Sequence, residues 1–207
     1  MPTGVALRDP REQLFDAAER VLLRDGANAL TSRAVTTEAG CAKGVLHRHF
    51  TDFDAFLAEL VLDRIARLDA RSAALRDAAG TGTVADNLTG ALSDLFGSVA
   101  AAIVGLVISR DALRTRLRTT TPAGVPLLTE ATAMFASYLT AERDLGRITP
   151  DADIDTLART LIGAGHLLAA GQPGTAPETE AYQRVVNTVI TGVLHHGATN
   201  TASRPPE

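Results

Sequence analysis

Apolar residues recur at three- and four-residue spacing along almost the whole chain, and alternating β-branched runs are scarce. A chain patterned in this way buries its apolar surface by packing helices on helices. Ala, Leu and Arg, all strong helix formers, dominate it, and glycine- or proline-containing breaks divide it. The spacing predicts three short helices first: Pro10 to Arg24, Thr31 to Ala39, and Ala42 to His49. Asp25-Gly26 stops the first, Thr31 is placed to cap the second, and Gly40 ends that one. Longer helices follow over Phe53 to Ala78 and Thr83 to Ile108, with a short Arg-rich one over Ser109 to Thr119. Val125 to Leu145, Asp151 to Ala170 and Pro177 to His195 complete the set.

The expected fold is therefore all-α with about nine helices, in two parts joined without a linker. Residues 1–52 form a small three-helix unit, residues 53–197 a larger helical body, and residues 198–207 a polar, disordered tail. At 207 residues and 45% hydrophobic, the chain can build a sizeable core. The longest apolar run, Val99 to Ile108, is half of the roughly 20 residues a membrane span needs. Met1-Pro2-Thr3-Gly4 lacks the charged segment and apolar core of a signal peptide. A cytoplasmic protein with no membrane partner is the expectation. The single cysteine, Cys41, excludes an intrachain disulfide and a Cys-rich zinc site.

Two short helices hinged at Gly40 match the helix-turn-helix pattern, whose second helix enters the major groove of DNA. Val35, Ala39, Leu46 and Phe50 can pack inward while Arg33, Lys43, His47 and His49 face out. Thr31 and Arg48 complete the candidate DNA-binding set. Gly44 adds no side chain, so backbone can approach bases or phosphates there. Lys43 is the only lysine among 20 Lys and Arg residues, and it falls in the first turn of the proposed reading helix. The net charge of −4 argues against a protein coated in nucleic acid but allows a locally basic head.

From Leu14 to Leu60 the chain resembles the tetracycline-repressor (TetR) family of bacterial regulators. The residues that carry the likeness are Ala17-Ala18, Asp25-Gly26, Thr31-x-Arg33, Ala39-Gly40, Lys43-Gly44-x-Leu46 and His49-Phe50. The Gly146-Arg147-Ile148 turn leading to Pro150-Asp151 looks like that family's ligand-binding body too. The resemblance implies a homodimer on a double-stranded DNA operator, with a small-molecule effector of unknown identity in the body. The chain departs from the family's usual residues at Thr36, Ala42, Val45, His47 and Phe53. These departures leave a second reading, a helical small-molecule-binding dimer that no longer reads DNA.

Phe96, Ile103, Met134, Phe135 and Tyr138 fall on the central helices and are either core or lining of the effector pocket that the resemblance implies. His166, in an apolar small-residue helix, is either a buried, bonded histidine or a polar anchor for that ligand. Two stripes near the end of the chain read as either core closure or a dimer interface. One is Leu157, Leu161, Gly165 and Leu168; the other is Tyr182, Val186, Val189, Ile190 and Val193. The resemblance implies the dimer.

Arg110, Arg114 and Arg118, with Arg116 beside them, form a solvated face, a contact between body and head, or an anion-recognising rim. Asp151-x-Asp153-x-Asp155 lacks the glycine and the final glutamate of a calcium loop and reads as first-turn carboxylates. His47 and His49 point about 200° apart on a helix, so no metal site is expected. No G-x-S-x-G, H-E-x-x-H, P-loop or dinucleotide-binding motif occurs, so neither catalytic residues nor a cofactor are expected.

Overall fold

The computed structural model describes residues 9–42, 44–97, 99–121, 124–171 and 177–194. Among these residues there are ten α-helices and no strand, apart from an isolated bridge between Ile148 and Leu194. The head contains α1 (Pro10–Asp25), α2 (Ser32–Glu38) and α3 (Gly44–His49). Asp9 caps α1 by accepting from the Arg11 and Glu12 amides, and Thr31 caps α2 by accepting from the Ala34 amide at 3.1 Å. Between α2 and α3 the chain turns at Gly40, whose φ of 64° is the left-handed conformation that favours glycine.

The body begins at α4 (Phe53–Asp77), which Asp52 caps through the Ala55 amide at 2.6 Å. Its 25 residues give a rod of about 37 Å. α5 (Val84–Phe96), α6 (Ala100–Ser109) and α7 (Asp111–Leu117) follow, then α8 (Leu128–Asp144), α9 (Ile154–Ala170) and α10 (Thr179–Ile190). α8 lies along α4, α9 on α8, and α10 against both α5 and α9, while α7 packs on α4 close to the head.

The helix expected over Thr83 to Ile108 is two helices, α5 and α6, whose axes differ by 55°. The break follows Phe96 at Gly97, where an added Cβ would lie 2.5 Å from the Ser93 carbonyl. α8, α9 and α10 each start two or three residues later than the apolar spacing suggested. Asp153, one of the three spaced aspartates, is the cap of α9 and accepts from the Thr156 amide at 3.1 Å. The expected tail and His195 lie outside the described residues.

The two C-terminal stripes correct the sequence reading. Leu161, Gly165, Tyr182, Val186 and Ile190, expected to face a second copy, are buried within the single chain. Gly165 shows why: α5 approaches so closely that a Cβ there would lie 2.8 Å from the Phe96 ring and 2.9 Å from Leu92. Tyr182 stacks on Phe96 with ring centroids 6.5 Å apart. Leu157, Leu168, Val189 and Val193 are half-buried at the edge of this layer. The outward side of α9 carries Thr160, Gly163 and Leu167, the last 74% exposed.

Candidate nucleic-acid interface and body site

The third helix, α3, is anchored by its apolar side. Leu46 is fully buried and Phe50 nearly so, with Val35 of α2 buried beneath them. Phe50 meets Phe56 of α4 edge-on at 5.0 Å and Phe15 of α1 at 5.9 Å, so one aromatic cluster joins head and body. Charged pairs lace the same seam: Arg11 with Glu59, Arg64 with Glu19, and Arg67 with Glu12. Arg64 is 9% exposed and also lies 3.5 Å from Asp16. The head therefore moves with α4 rather than on a flexible joint.

The opposite face of α3 is open. Gly44, His47 and Arg48 are exposed, while His49 is half-buried with its ring 6.5 Å from that of Phe50. An added Cβ at Gly44 would meet nothing within 4 Å, and its φ is not positive, so nothing inside the chain demands glycine there. Arg33 on α2 is exposed, and so is Thr31, which also caps that helix. These residues share the outward side of the second and third helices. Lys43, the leading base-reading candidate from the sequence, lies outside the described residues.

Glu38 at the end of α2 holds the head together. It accepts from Arg20 Nε at 2.7 Å and Arg24 Nη1 at 2.9 Å, both on α1. Those hydrogen bonds, Arg20's first, keep its carboxyl below the usual range. Arg20 and Arg24 are thereby committed to packing α2 on α1.

In the body, Phe96, Ile103, Met134, Phe135 and Tyr138 are all buried. Tyr138 has a structural partner that the sequence reading missed: its hydroxyl donates to Glu142 Oε1 at 2.5 Å and accepts from Asn87 Nδ2 at 3.0 Å. Glu142 is completely buried; it also accepts from the Gly80 amide and pairs with Arg147 at 3.3 Å. Burial first, and then the bond to Glu142, push the Tyr138 hydroxyl well above its ordinary pKa. The Tyr138 hydroxyl thus belongs to a network tying the α4–α5 turn to α8. The only sequence hint is that Tyr138 and Glu142 stand one helical turn apart.

Phe96 and His166 are brought together, with ring centroids 6.0 Å apart. Around them, Ser93 Oγ, Thr89 Oγ1, His166 Nδ1 and Tyr182 OH are buried without a hydrogen-bond partner in the protein. Burial lowers the His166 pKa, so the neutral ring is favoured. A separate open cleft of about 410 Å³ lies between α1 and α4, bordered by Arg11, Glu59 and Arg67. It is a surface groove rimmed by ion pairs and lies apart from the expected effector residues.

Residues 14–60 match the sequence profile of the family described as bacterial regulatory proteins, tetR family. That segment carries the N-terminal domain of the TetR family. The match supports DNA-binding transcriptional regulation. The whole TetR-family fold is present. Reduced NemR of Escherichia coli superposes with a TM-score of 0.69 at 16% identity, covering 90% of this chain and 98% of that one. A Rhodococcus sp. Rha1 transcriptional regulator gives 0.63 at 22% identity, covering 88% and 95%. Bacillus subtilis FadR, solved with stearoyl-CoA, gives 0.65 at 16% identity, covering 88% and 98%. No curated protein matches the chain by sequence.

The departures from the usual TetR-family residues fit this fold without disturbing the head. Thr36 is buried, and its hydroxyl donates back to the Ser32 and Arg33 carbonyls, an ordinary intrahelical bond. Val45 packs half-buried on the core, and Ala42 and His47 are exposed. Phe53 stacks on Phe56 at 5.6 Å and lies beneath the Arg110 guanidinium.

Proposed function

We propose that the protein is a ligand-responsive repressor that acts as a homodimer on a palindromic operator. The boundary between reading and regulatory units falls between residues 52 and 53. Two reading helices, roughly 34 Å apart, enter successive major grooves. Arg33, Thr31 and the backbone at Gly44 contact phosphate, and Lys43, His47, Arg48 and His49 lie at the groove. The observation that carries this reading is the outward face of α3, where a glycine with no steric reason in the protein stands beside exposed His47 and Arg48.

The dimer forms through the outer side of α9 and α10, with Gly163 and exposed Leu167 at its centre and Leu157, Leu168, Val189 and Val193 at its edge. The effector binds in the body near Phe96 and His166, where unpartnered hydrogen-bonding groups can be satisfied by a ligand. The stearoyl-CoA held by the similarly folded B. subtilis FadR supports a small-molecule site in such a body. Because α4 and the head are joined by ion pairs and aromatic packing, an effector that displaces α4 alters the spacing of the two heads. A coupling of about 1–3 kcal/mol would weaken operator binding about 5- to 150-fold.

A mobility-shift assay with the promoter region beside its gene tests the proposal. Wild-type protein should retard the fragment, and Gly44→Leu, Arg48→Ala and Lys43→Ala should lose retardation while keeping wild-type helicity. Absence of retardation at every salt concentration, or retention by all three variants, overturns it.

A further inference from the structure

Few cations among the described residues of the reading head are unpaired. Among its described residues, Arg11, Arg20 and Arg24 are engaged by carboxylates, and Arg33 and Arg48 are the arginines without such a partner. Immediately after α3 comes Asp52, whose carboxylate caps α4 and is 52% exposed. The Ala55 amide first, and Arg116 after it, keep that carboxyl below its usual range, so it stays ionised. An unshielded carboxylate at this corner would repel the backbone of a duplex lying against α3.

The body supplies the missing charge. Arg116 of α7 donates from Nη2 to Asp52 Oδ2 at 2.9 Å. Arg110, just before α7, donates to Asp54 Oδ1 at 3.2 Å and lies 5.5 Å above the Phe53 ring. Arg118 at the end of α7 is exposed and has no carboxylate partner among the described residues. A guanidinium has five donors, and the Asp52 bond uses one of those on Arg116, whose side chain is 43% exposed.

We propose that Arg116 and Arg118, steadied by Arg110, form with the N-terminus of α4 a second phosphate-binding surface beside the reading helix. Its ligand is the DNA backbone flanking each half-site. The inference rests on α3 being the DNA reader. It makes α7 a direct contributor to affinity, so a shift of α7 against α4 changes DNA binding even with α3 unmoved.

The test uses the full chain and a random-sequence DNA duplex several helical turns long, because non-specific affinity is almost wholly electrostatic. Dissociation constants across a salt series give a slope that counts neutralised phosphates. Arg116→Gln and Arg118→Gln should each reduce that slope by about 0.9 and weaken low-salt binding severalfold. Arg76→Gln, at the end of α4 opposite the head, removes the same charge and should leave the slope unchanged. Arg118 holds no ion pair among the described residues, so its variant reads out DNA binding even if Arg116→Gln lowers stability. Wild-type slopes in both α7 variants, or an equal drop in Arg76→Gln, overturn the inference. A wild-type protein that binds no duplex at any salt overturns the DNA reading of α3, and this inference with it.

Discussion

Removing the Glu142 carboxylate isolates the most consequential polar group in the body. It is completely buried and receives the Tyr138 hydroxyl, the Gly80 amide and the Arg147 guanidinium. In Glu142→Ala all three lose their acceptor at once. Breaking one partner out of a buried charged pair costs about 3–5 kcal/mol. The lower end applies, because Arg147 is 28% exposed and also donates to the Gly82 carbonyl at 2.7 Å, so its charge does not become wholly stranded. At about 2–4 °C per kcal/mol for a chain of this size, a loss of about 3 kcal/mol lowers the melting midpoint by about 6–12 °C. Glu142→Gln keeps an acceptor for Tyr138 and should lose about half as much. Thermal unfolding followed by circular dichroism, with urea titration at 25 °C as a check, measures both. A midpoint shift under about 2 °C for Glu142→Ala, or equal loss in the two variants, would refute the account of this network.

Gly165→Ala places a methyl within 3 Å of Phe96 and Leu92 and should destabilise by about 1–3 kcal/mol in the same melts; an unchanged midpoint would mean that α5 yields freely. His166 has a pKa lowered by burial, so the unfolded chain binds the proton more readily. Its contribution is intact above the unfolded value of about 6.5 and is lost as pH falls from there through the lower folded value. Melting midpoints between pH 7.5 and pH 5 should therefore fall more steeply in the wild type than in His166→Gln, and parallel curves would refute this. Leu167→Glu, at a site 74% exposed in the single chain, should leave helicity intact but halve the mass seen by sedimentation; a wild-type mass in the variant would place the dimer face elsewhere.

The helices were legible because their determinants are local. Thr31, placed as a cap by its position before an apolar run, does cap α2, and Gly40 has the positive φ that ends it. The family resemblance runs from Leu14 to Leu60, the span the family profile matches, and Val35, Leu46 and Phe50 face inward as their spacing requires. The bend at Gly97 was not legible, because a lone glycine inside a helical pattern is tolerated and does not by itself mark a break. The Tyr138–Glu142 pair had only its one-turn spacing as a clue, since its partners Asn87 and the Gly80 amide come from a distant segment.

The C-terminal stripes mark the same boundary. Spacing dictated that Leu161, Tyr182, Val186 and Ile190 would be buried, but not whether the cover would be α5 or a second copy. Hydrophobic period is a property of one helix, whereas the identity of its cover depends on how distant segments meet in space. Sequence alone thus determined helix type, caps and the inward sides of the head. Only the tertiary structure decided that α5 fills the groove beside Gly165, and that arginines of α7 come to lie against the end of α4.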